Sequence, residues 1–318
     1  MRVLSSPSAS SPLVWVDHPE RKLRSDELRV AVHAAGVNPV DWKMRQGELL
    51  GIAQRIIGPS GPLVCGVDFA GEVIAIGEAV KDVRVGDQVV GGTDFSRRQY
   101  GSYASHVQVR WDQVVVLPAG VDVVAAACLP VAGVTAHQAL FALGRLAEKP
   151  DPRALILGAA GGVGHFAVQL AHGCGARSVG VCSSRNVGLV ERLGGIAIDY
   201  TRGDVATAAA AHGPYDVIVD AAGTAAYPIA MCRSLLKKGG THVLVQARPA
   251  DFLRVAMPGP VKTLLGRPNR ATLEPLVSEL AAGRLQVVIA ERIPMAEAER
   301  AHEISRGGKV VGKLVLVA

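Results

Sequence analysis

The chain has 318 residues, of which 49% are hydrophobic and 19% are charged, and its formal net charge is +6. This length accommodates two domains of ordinary size, and the composition is that of a globular α/β protein rather than a disordered one. The basic residues are scattered singly or in pairs, so no nucleic-acid partner is expected, whereas the surplus positive charge favours an anionic ligand.

The five cysteines are widely spaced and form no CxxC pair. Neither a disulfide framework nor a clustered zinc site is expected, and a reducing cytoplasm suits such a chain best. The opening segment MRVLSSPSASSPLVW lacks the apolar stretch of a signal peptide, and no run approaches the ~20 apolar residues of a membrane-spanning helix. We therefore expect a cytoplasmic protein with no membrane partner.

Strand-like segments dominate the first third of the chain. ELRVAVHAAGV alternates between apolar and other residues, and GVDFAGEVIAIGEAVKDVRVGDQVVGG consists of short Val/Ile runs broken by glycines. Both patterns are typical of a compact β-domain with tight turns. The first part of this domain is predicted over residues 1–116.

From Leu117 onward, helical and strand-like segments alternate. LPVAGVTAHQALFALGRLA has helical periodicity, RALILG is a buried strand entering a glycine-rich turn, and GHFAVQLAHGCG is a helix ended by glycine. The strand-like runs SVGVC, IAIDY, DVIVDAAG and THVLVQ follow, with helices between them. This alternation predicts a parallel, doubly wound sheet over residues 117–267.

The end of the chain is expected to return to the β-rich domain. MPGPVKTLLGRPNR is rich in Pro and Gly and is predicted to be a loop covering a cleft or a sheet edge. A helix over about 271–282 and the strand-like runs LQVVIAERI and VVGKLVLVA follow it. Because these last runs resemble the strands of the first third, we assign residues 268–318 to the first domain.

A glycine-rich turn joins the first strand of the parallel sheet to its helix. It contains Gly158, Gly161, Gly162 and Gly164, and the helix begins at about Val163. Glycines let the backbone approach a pyrophosphate, and a helix start offers unpaired N–H groups to it. A second strand about 20 residues on strengthens the prediction of a dinucleotide site. The alternative is that these glycines serve only helix–sheet packing.

The second strand of the parallel sheet ends in VGVCSSRN, where NAD enzymes usually carry an acid for the ribose 2′-hydroxyl. Here Ser183, Ser184 and Arg185 occupy that place, and the first acid downstream is Glu191. Hydroxyl donors and a guanidinium suit a 2′-phosphate, which a carboxylate would repel. NADP(H) is therefore the predicted cofactor, with a solvated loop and an incidental arginine as the alternative.

Taken together, these segments resemble the medium-chain dehydrogenase/reductase superfamily, specifically its zinc-free quinone oxidoreductase and alkenal/enone reductase branch. The resemblance covers essentially the whole chain and rests on AAGVNPVDWKMRQG, GVDFAGEVIAIG, LPVAGVTAHQAL, GAAGGVG, LGGIAIDY and VVGKLVLV, matched in order. It implies a GroES-like β-rich catalytic domain, a Rossmann domain that binds NADP(H), and a homodimer, often formed through edge strands such as one near PVKTLLG.

The zinc ligands of other superfamily members are absent at the matching positions. Catalytic zinc needs Cys and His ligands, but Asn38, Val67 and Val131 stand in their places, and the four-cysteine lobe of a structural zinc site is missing. Cys128 lies near Val131 and is expected to be a core residue. The resemblance therefore implies a reaction centre without metal.

Carried over residue by residue, the resemblance places Lys43 against both the nicotinamide end and the substrate carbonyl. Asn38 and Asp41 match residues that line the nicotinamide site. The alternatives are a solvated lysine for Lys43, and for Asp41 a turn residue or a partner of Lys43. Leu49 stands where many quinone reductases have a tyrosine, so Lys43 or solvent becomes the expected proton source, with Tyr100 and Tyr103 as further candidates.

The resemblance also assigns cofactor contacts outside the glycine-rich turn. Thr135 matches a position near the nicotinamide and phosphates, and Tyr200 an aromatic beside the 2′-phosphate and adenine. Val245 follows a strand whose backbone meets the carboxamide, and Lys309 matches a basic contact of some relatives. Helix packing for Thr135, an incidental aromatic for Tyr200 and a charged turn for Lys309 are the alternatives.

These residues predict an NADPH-dependent reductase of α,β-unsaturated carbonyls or quinones. Without a Lewis acid, hydride transfer to an electron-poor carbon needs only orientation of the partners and one donor to the carbonyl oxygen. A dedicated enoyl reductase of a polyketide-like pathway shares all of these motifs. A non-catalytic NADPH-binding redox sensor is the alternative from a different class.

Overall fold

The computed structural model describes residues 1–6, 11–47, 49–246, 251, 255 and 258–318. The chain divides into two compact units, each described by itself below. The first comprises Met1–Val131, Arg267–Gly283 and Ile289–Ala318, and the second Ala132–Gly266 and Arg284–Val288. Over the described ranges, no helix combines the length and the apolar character needed to span a bilayer.

The first unit is built on a mixed sheet of seven strands among the residues described, with strand order β14-β15-β3-β4-β5-β7 and β6 paired to β3. All neighbours are antiparallel except β14 and β15. The strands are β3 (Glu27–Val37), β4 (Asp68–Ile76), β5 (Gln88–Gly92), β6 (His106–Arg110), β7 (Val114–Val116), β14 (Ile289–Pro294) and β15 (Lys313–Val317). A separate antiparallel pair contains β1 (Arg2–Ser5) and β2 (Val14–Asp17).

Five helices accompany these strands in the described part of the first unit. They are α1 (Pro39–Arg45), α2 (Leu49–Ile57), α3 (Val123–Ala126), α9 (Arg270–Ala281) and α10 (Ala298–Arg306). One face of the sheet packs into an apolar core that includes Leu28, Val30, Phe69, Tyr103 and Leu316. Burial of each such aliphatic or aromatic side chain contributes about 1.5–3 kcal/mol, so this core holds β3 and the last strand of the chain, β15, in one sheet.

The second unit contains a parallel sheet with strand order β10-β9-β8-β11-β12-β13. The strands are β8 (Arg153–Leu157), β9 (Arg177–Cys182), β10 (Ile196–Asp199), β11 (Tyr215–Asp220), β12 (Leu236–Leu244) and β13 (Val261–Thr263). Its helices are α4 (Ala132–His137), α5 (Gly164–Gly173), α6 (Val187–Arg192), α7 (Val205–Ala210) and α8 (Ile229–Ser234). Strands β8, β9 and β11 are buried over nearly their whole length, as a parallel sheet covered by helices requires.

The predicted fold class, a GroES-like β-rich domain with a doubly wound Rossmann domain, is confirmed. Two details add to it. The segment predicted as a loop near the end of the second unit contains the edge strand β13. The helical run after α4 continues as a π-helix, Gln138–Leu143.

The boundaries of the units differ from those placed by composition at residues 116/117 and 267/268. The first unit extends to Val131, whose backbone N–H donates to the Asp68 carboxylate over 2.9 Å. Residues 284–288 group with the second unit, where Gln169 exchanges two hydrogen bonds with the backbone of Gln286. Both connections are polar contacts between distant segments, which a change in local pattern does not reveal.

Candidate functional site

The candidate region of the first unit begins where β3 ends and α1 starts. Asn38 precedes Pro39, which suits the first position of a helix because it has no N–H to satisfy. The Asp41 carboxylate accepts a hydrogen bond from the Asn38 backbone N–H over 2.7 Å. This hydrogen bond fixes the first turn of α1. The Asn38 side chain makes no cap hydrogen bond of its own and is available for other partners.

The Asn38 side chain lies between two buried charges. Its amide Nδ2 donates to Asp68 Oδ2 over 2.9 Å, and its Oδ1 accepts from the Lys313 ammonium. Lys313 also donates to the Val37 carbonyl over 3.0 Å and lies 3.5 Å from Asp68 Oδ2. Asn38, Asp68 and Lys313 are each no more than 3% exposed. We refer to these three residues as the buried polar network.

The buried polar network fixes the orientation of the Asn38 amide. One hydrogen of Nδ2 is directed to Asp68, and Nδ2 also lies 3.4 Å from the Gly36 carbonyl. With Oδ1 engaged by Lys313, the amide is tied on both sides. Asn38 is therefore held inside the unit, and contact with a nicotinamide remains a prediction for it.

Asp41 lies next to this network in a fully buried position. Burial and, secondarily, the nearby charge of Asp68 raise the pKa of Asp41 to about 7. The Tyr103 hydroxyl donates to Asp41 Oδ2 over 3.2 Å, and burial holds the pKa of that tyrosine well above its usual range. Tyr103 is 0% exposed, so its hydroxyl serves Asp41 in the interior.

Lys43 is the less constrained cation of this region. It lies on α1 with a half-buried side chain, and its ammonium is 5.6 Å from the centre of the Trp42 ring. Within the described ranges it makes neither a hydrogen bond nor an ion pair, and Asp41 bonds to Asn38 and Tyr103 rather than to Lys43. The ammonium thus keeps its donors available.

The other candidate proton donors of the first unit are differently placed. The Tyr100 hydroxyl donates to the Ser60 carbonyl and lies 3.1 Å from His18 Nε2. Leu49, the predicted replacement of a tyrosine, begins α2, and its side chain lies outside the described part of the structure.

The candidate cofactor region of the second unit contains the glycine-rich turn between β8 and α5. Gly158 adopts a φ of +79°. A Cβ added to Gly164 would lie 2.1 Å from the Gly158 carbonyl oxygen, so only glycine fits there. The N–H groups of Gly162 and Val163 have no backbone partner in the described structure, and the N-cap Val163 supplies no side-chain acceptor. The turn fits a pyrophosphate, which those N–H groups would hold.

The residues predicted to meet the adenosine ribose gather at the carboxyl ends of β9 and β10. Ser183, Ser184 and Arg185 follow β9, and the Tyr200 N–H donates to the Cys182 carbonyl over 3.0 Å. Arg185 is exposed and has no ion-pair or hydrogen-bond partner over the part of the chain described. Tyr200 is half exposed, as a stacking aromatic needs to be.

A carboxylate also lies in this group, supplied by the neighbouring strand. Asp199 ends β10, and its Oδ2 accepts from the Ser184 hydroxyl over 2.5 Å. Asp199 also forms an ion pair of 3.2 Å with the exposed Arg202. Residues 179–186 contain no acid. The fold nevertheless brings the Asp199 carboxylate to Ser184 from outside that segment.

Three further predicted cofactor residues are spread over both units. Thr135 is buried on α4, and Val245 follows the carboxyl end of β12, where its N–H donates to the Asp220 carbonyl over 3.0 Å. Lys309 is exposed between α10 and β15 of the first unit. Their roles toward a cofactor remain predictions.

Comparisons with known proteins agree with this geometry. A family model described as an alcohol dehydrogenase GroES-like domain matches residues 24–119, and one described as a zinc-binding dehydrogenase matches residues 195–316. A chloroplastic quinone-oxidoreductase homolog of Spinacia oleracea is 31% identical over 304 residues, which span 92% of this chain and 90% of the relative. The chain belongs to the quinone oxidoreductase branch of the medium-chain dehydrogenase/reductase superfamily.

Two further proteins are similar to this chain. The structure of the quinone oxidoreductase from Coxiella burnetii has a TM-score of 0.86 at 31% identity, covering 100% of this chain and 98% of that one. An NADPH-dependent alkenal/one oxidoreductase from the chloroplast of Arabidopsis thaliana is 34% identical over 232 residues, which cover 70% of this chain and 55% of the relative. As a member of this branch, the chain is an oxidoreductase.

The resemblance matches Asn38, Val67 and Val131 to the metal-ligand positions of zinc-dependent superfamily members, and this match remains a prediction. Asp68 bonds both the Asn38 amide and the Val131 N–H and follows Val67 directly, so the three substituted positions meet at this carboxylate. None of these three side chains is a Cys or a His. Across the described residues, no group of three or more His, Cys, Asp or Glu side chains is arranged to hold a metal ion.

Sequence reasoning missed Asp68, Lys313 and Asp199. A signal existed for the first two, since an acid in VCGVDFAG and a lysine in VVGKLVLV interrupt apolar runs, and charged residues are buried only when paired. For Asp199 the signal was the acid that ends the next strand of the parallel sheet.

Replacing Lys313 with methionine should lower the free energy of unfolding by about 3–5 kcal/mol, because Asp68 would then be a buried carboxylate without a cation. Urea denaturation followed by circular dichroism measures this change. Lys309→Met, which removes an exposed lysine just before β15, is the matched control and should leave the midpoint unchanged. Equal midpoints for Lys313→Met and the native chain would show that the pair contributes nothing to stability.

Asp41 should make stability fall as pH rises. Its pKa is raised from 3.8 to about 7, so the folded state binds this proton more tightly than the unfolded chain does. The resulting stability is complete below the ordinary pKa and is lost as pH rises through about 7. The unfolding free energy of the native chain minus that of Asp41→Asn should fall by up to ~4 kcal/mol from about pH 4 to about pH 8.

Denaturation of both proteins across this range measures that difference. Burial lowers the pKa of His302 to about 4, which gives stability the opposite slope at acid pH. Because both proteins contain His302, its effect cancels in the difference. A difference that stays constant with pH would contradict a raised pKa for Asp41.

Proposed function

We propose that this enzyme uses NADPH to reduce the conjugated C=C bond of α,β-unsaturated carbonyls, or quinones, without zinc. The observation that carries the proposal is the buried polar network, in which the Asn38 amide and the Lys313 ammonium engage the Asp68 carboxylate. The other two predicted ligand positions are valines, Val67 and Val131. Such a centre holds no soft ligand for a Lewis acid, which favours substrates whose own conjugation makes a carbon electron-poor. The names of the similar proteins support the same substrate class.

NADPH, when bound, supplies the hydride, which is two electrons and one hydrogen. The Gly162 and Val163 N–H groups would hold the pyrophosphate, and Arg185 with Tyr200 would hold the adenosine 2′-phosphate. Ser183 and Ser184 would face the adenosine ribose. Val245 and Thr135 are proposed to orient the nicotinamide end. These residues bind and position the cofactor, and they take no part in proton transfer.

Lys43 is proposed to serve the substrate. When hydride adds to the carbon remote from the carbonyl, negative charge develops on the carbonyl oxygen. An ammonium with free donors stabilises that oxygen and can relay the one proton that completes the reduction. Asn38 and Asp41 act as positioning residues, because their mutual hydrogen bond fixes the turn of α1 that precedes Lys43.

A panel of substrates with NADPH and with NADH tests the proposed function. Oxidation of the cofactor is followed with a simple quinone, an alkenal, a bulky enone and an enoyl thioester. We expect turnover with the quinone or the alkenal and a preference for NADPH. Turnover confined to the enoyl thioester would identify a dedicated enoyl reductase, and tight NADPH binding without turnover on any substrate would identify a redox sensor.

The proposed assembly is a homodimer formed through the edge strand β13. This strand ends the parallel sheet in the described structure, and Leu265 just beyond it is 54% exposed. An unpaired strand edge is suited to pairing with a second copy. Light scattering after size-exclusion chromatography determines the oligomeric state.

Arg185→Ala should raise the KM for NADPH roughly tenfold and that for NADH less than twofold, because only NADPH carries the phosphate that this guanidinium pairs with. Steady-state kinetics with each cofactor at saturating substrate measures both values. The control is Arg177→Ala, which removes the same charge from the opposite end of β9. Equal effects of Arg185→Ala on both cofactors would count against the phosphate assignment.

Lys43→Ala should lower kcat about 10²-fold, the usual effect of removing a donor to a developing oxyanion. The melting temperature should stay unchanged, since this ammonium makes no hydrogen bond or ion pair within the described ranges. Lys81→Ala, which removes an exposed lysine of the same unit, is the matched control. Unchanged turnover of Lys43→Ala would remove this residue from the mechanism.

A further inference from the structure

The strongest unassigned feature is the set of hydrogen bonds around Asp199 at the proposed 2′-phosphate site. Ser184 Oγ donates to Asp199 Oδ2 over 2.5 Å, and Thr201 Oγ1 donates to Asp199 Oδ1 over 2.7 Å. The Thr201 backbone N–H donates to the same Oδ1 over 2.9 Å. Both carboxylate oxygens are therefore bound by residues that border this site.

The hydroxyl hydrogens of Ser184 and Thr201 are taken up within this set of hydrogen bonds. A serine or threonine hydroxyl carries one hydrogen. The Ser184 and Thr201 hydroxyls have three short contacts for their two hydrogens, one from each to Asp199 and one of 2.7 Å between the two hydroxyl oxygens. Both hydrogens are therefore used within this set, so each hydroxyl offers a phosphate only lone pairs. Ser183 is not constrained in this way, because its Oγ accepts from Asn186 and keeps its own hydrogen.

Asp199 also competes for a cation. Arg202 is 81% exposed and pairs with Asp199 Oδ2 over 3.2 Å, which directs its guanidinium to the carboxylate rather than to a ligand. The hydrogen bond from Ser184 holds the pKa of Asp199 below its usual range, so the carboxylate is ionised throughout the neutral range. Its charge has the same sign as a ribose phosphate, and like charges at short range repel.

We propose that Asp199 is a specificity-determining residue that weakens binding of the 2′-phosphate. It takes up the hydroxyl hydrogen of Ser184 and the charge of Arg202, and it adds a negative charge to the site. This inference rests on the proposed function, in which Ser183, Ser184 and Arg185 face the adenosine ribose. It implies that the native enzyme discriminates between NADPH and NADH less than its serines and arginine suggest.

Asp199→Asn tests the proposal because the amide keeps the shape of the side chain and removes its charge. The amide can donate to Ser184 Oγ, which frees the Ser184 hydrogen for a phosphate oxygen, and Arg202 loses its ion pair. We expect the Kd for NADPH to fall about tenfold and that for NADH to change less than twofold. Titration of the full-length protein with each dinucleotide, followed by calorimetry, measures both constants.

A double-mutant cycle with Ser184→Ala separates the freed hydroxyl from the lost charge. In the native background, Ser184→Ala should change the Kd for NADPH less than twofold, because this hydroxyl donates to Asp199. In the Asp199→Asn background, the same change should remove part of the gain. The rest of the gain is electrostatic and should shrink as salt is raised.

The control is Glu148→Gln, which removes one acid of the same unit from the segment that precedes β8. It should leave both dissociation constants unchanged. An unchanged or weaker affinity of Asp199→Asn for NADPH would overturn the proposal and make Asp199 a support of the phosphate site. Failure of the proposed cofactor assignment would give a different result. Arg185→Ala would then change the Kd for NADPH and the Kd for NADH by the same factor relative to the native chain.

Discussion

The ion pair between Asp68 and Lys313 is the interaction on which the first unit and its candidate region depend. A carboxylate and an ammonium buried to this extent are tolerated only when each has a partner of opposite charge and its remaining hydrogen bonds are satisfied. Asn38 and the Val131 N–H complete that requirement for Asp68. The constraint thus brings together the end of β3, the start of β4, the last residue before the second unit and the start of β15. The pair also bears on the chemistry, because the positions predicted to replace zinc ligands, Asn38, Val67 and Val131, lie at or beside the Asp68 carboxylate.

A second consequence concerns the side chains that remain able to act. Asn38 was predicted to contact the nicotinamide, but its amide is tied to Asp68 and Lys313. Asp41 was an open choice between a turn residue, a partner of Lys43 and a site residue, and its carboxylate caps α1 and accepts from Tyr103. The Asn38 amide, the Asp41 carboxylate and the Tyr103 hydroxyl are thus engaged in the interior. The Lys43 ammonium keeps its donors available. In physical terms, the satisfied groups provide rigidity, and the unsatisfied one provides reactivity.

The sequence predicted those features that depend on neighbouring residues. Continuous apolar strands separated by helices indicated the parallel sheet, and the glycine-rich turn was predicted from its glycines between a strand and a helix. The structure supplies the physical reason at Gly164, where a Cβ would collide with the Gly158 carbonyl. The pair Asp68–Lys313 could not be predicted from local pattern, since its members are separated by most of the chain and meet only when β15 joins β3. Asp199 was missed for a related reason. The first acid after β9 along the chain is Glu191. The carboxylate adjacent in space is instead at the end of β10, which pairs with β9 in parallel register.

Asp68 and Asp199 show how the same side chain takes opposite roles in one protein. Burial raises the pKa of Asp68, and Lys313 with the Asn38 amide keeps its charge tolerable, so this carboxylate is committed to the interior. Asp199 lies at the rim of its sheet, where hydrogen bonds from Ser184 and Thr201 lower its pKa and keep it charged. A charge in the interior can only organise the fold around itself, because no ligand reaches it. A charge at the rim acts on whatever binds there, so the choice of cofactor depends on the sum of Arg185, Arg202 and Asp199 rather than on the short segment after β9 alone.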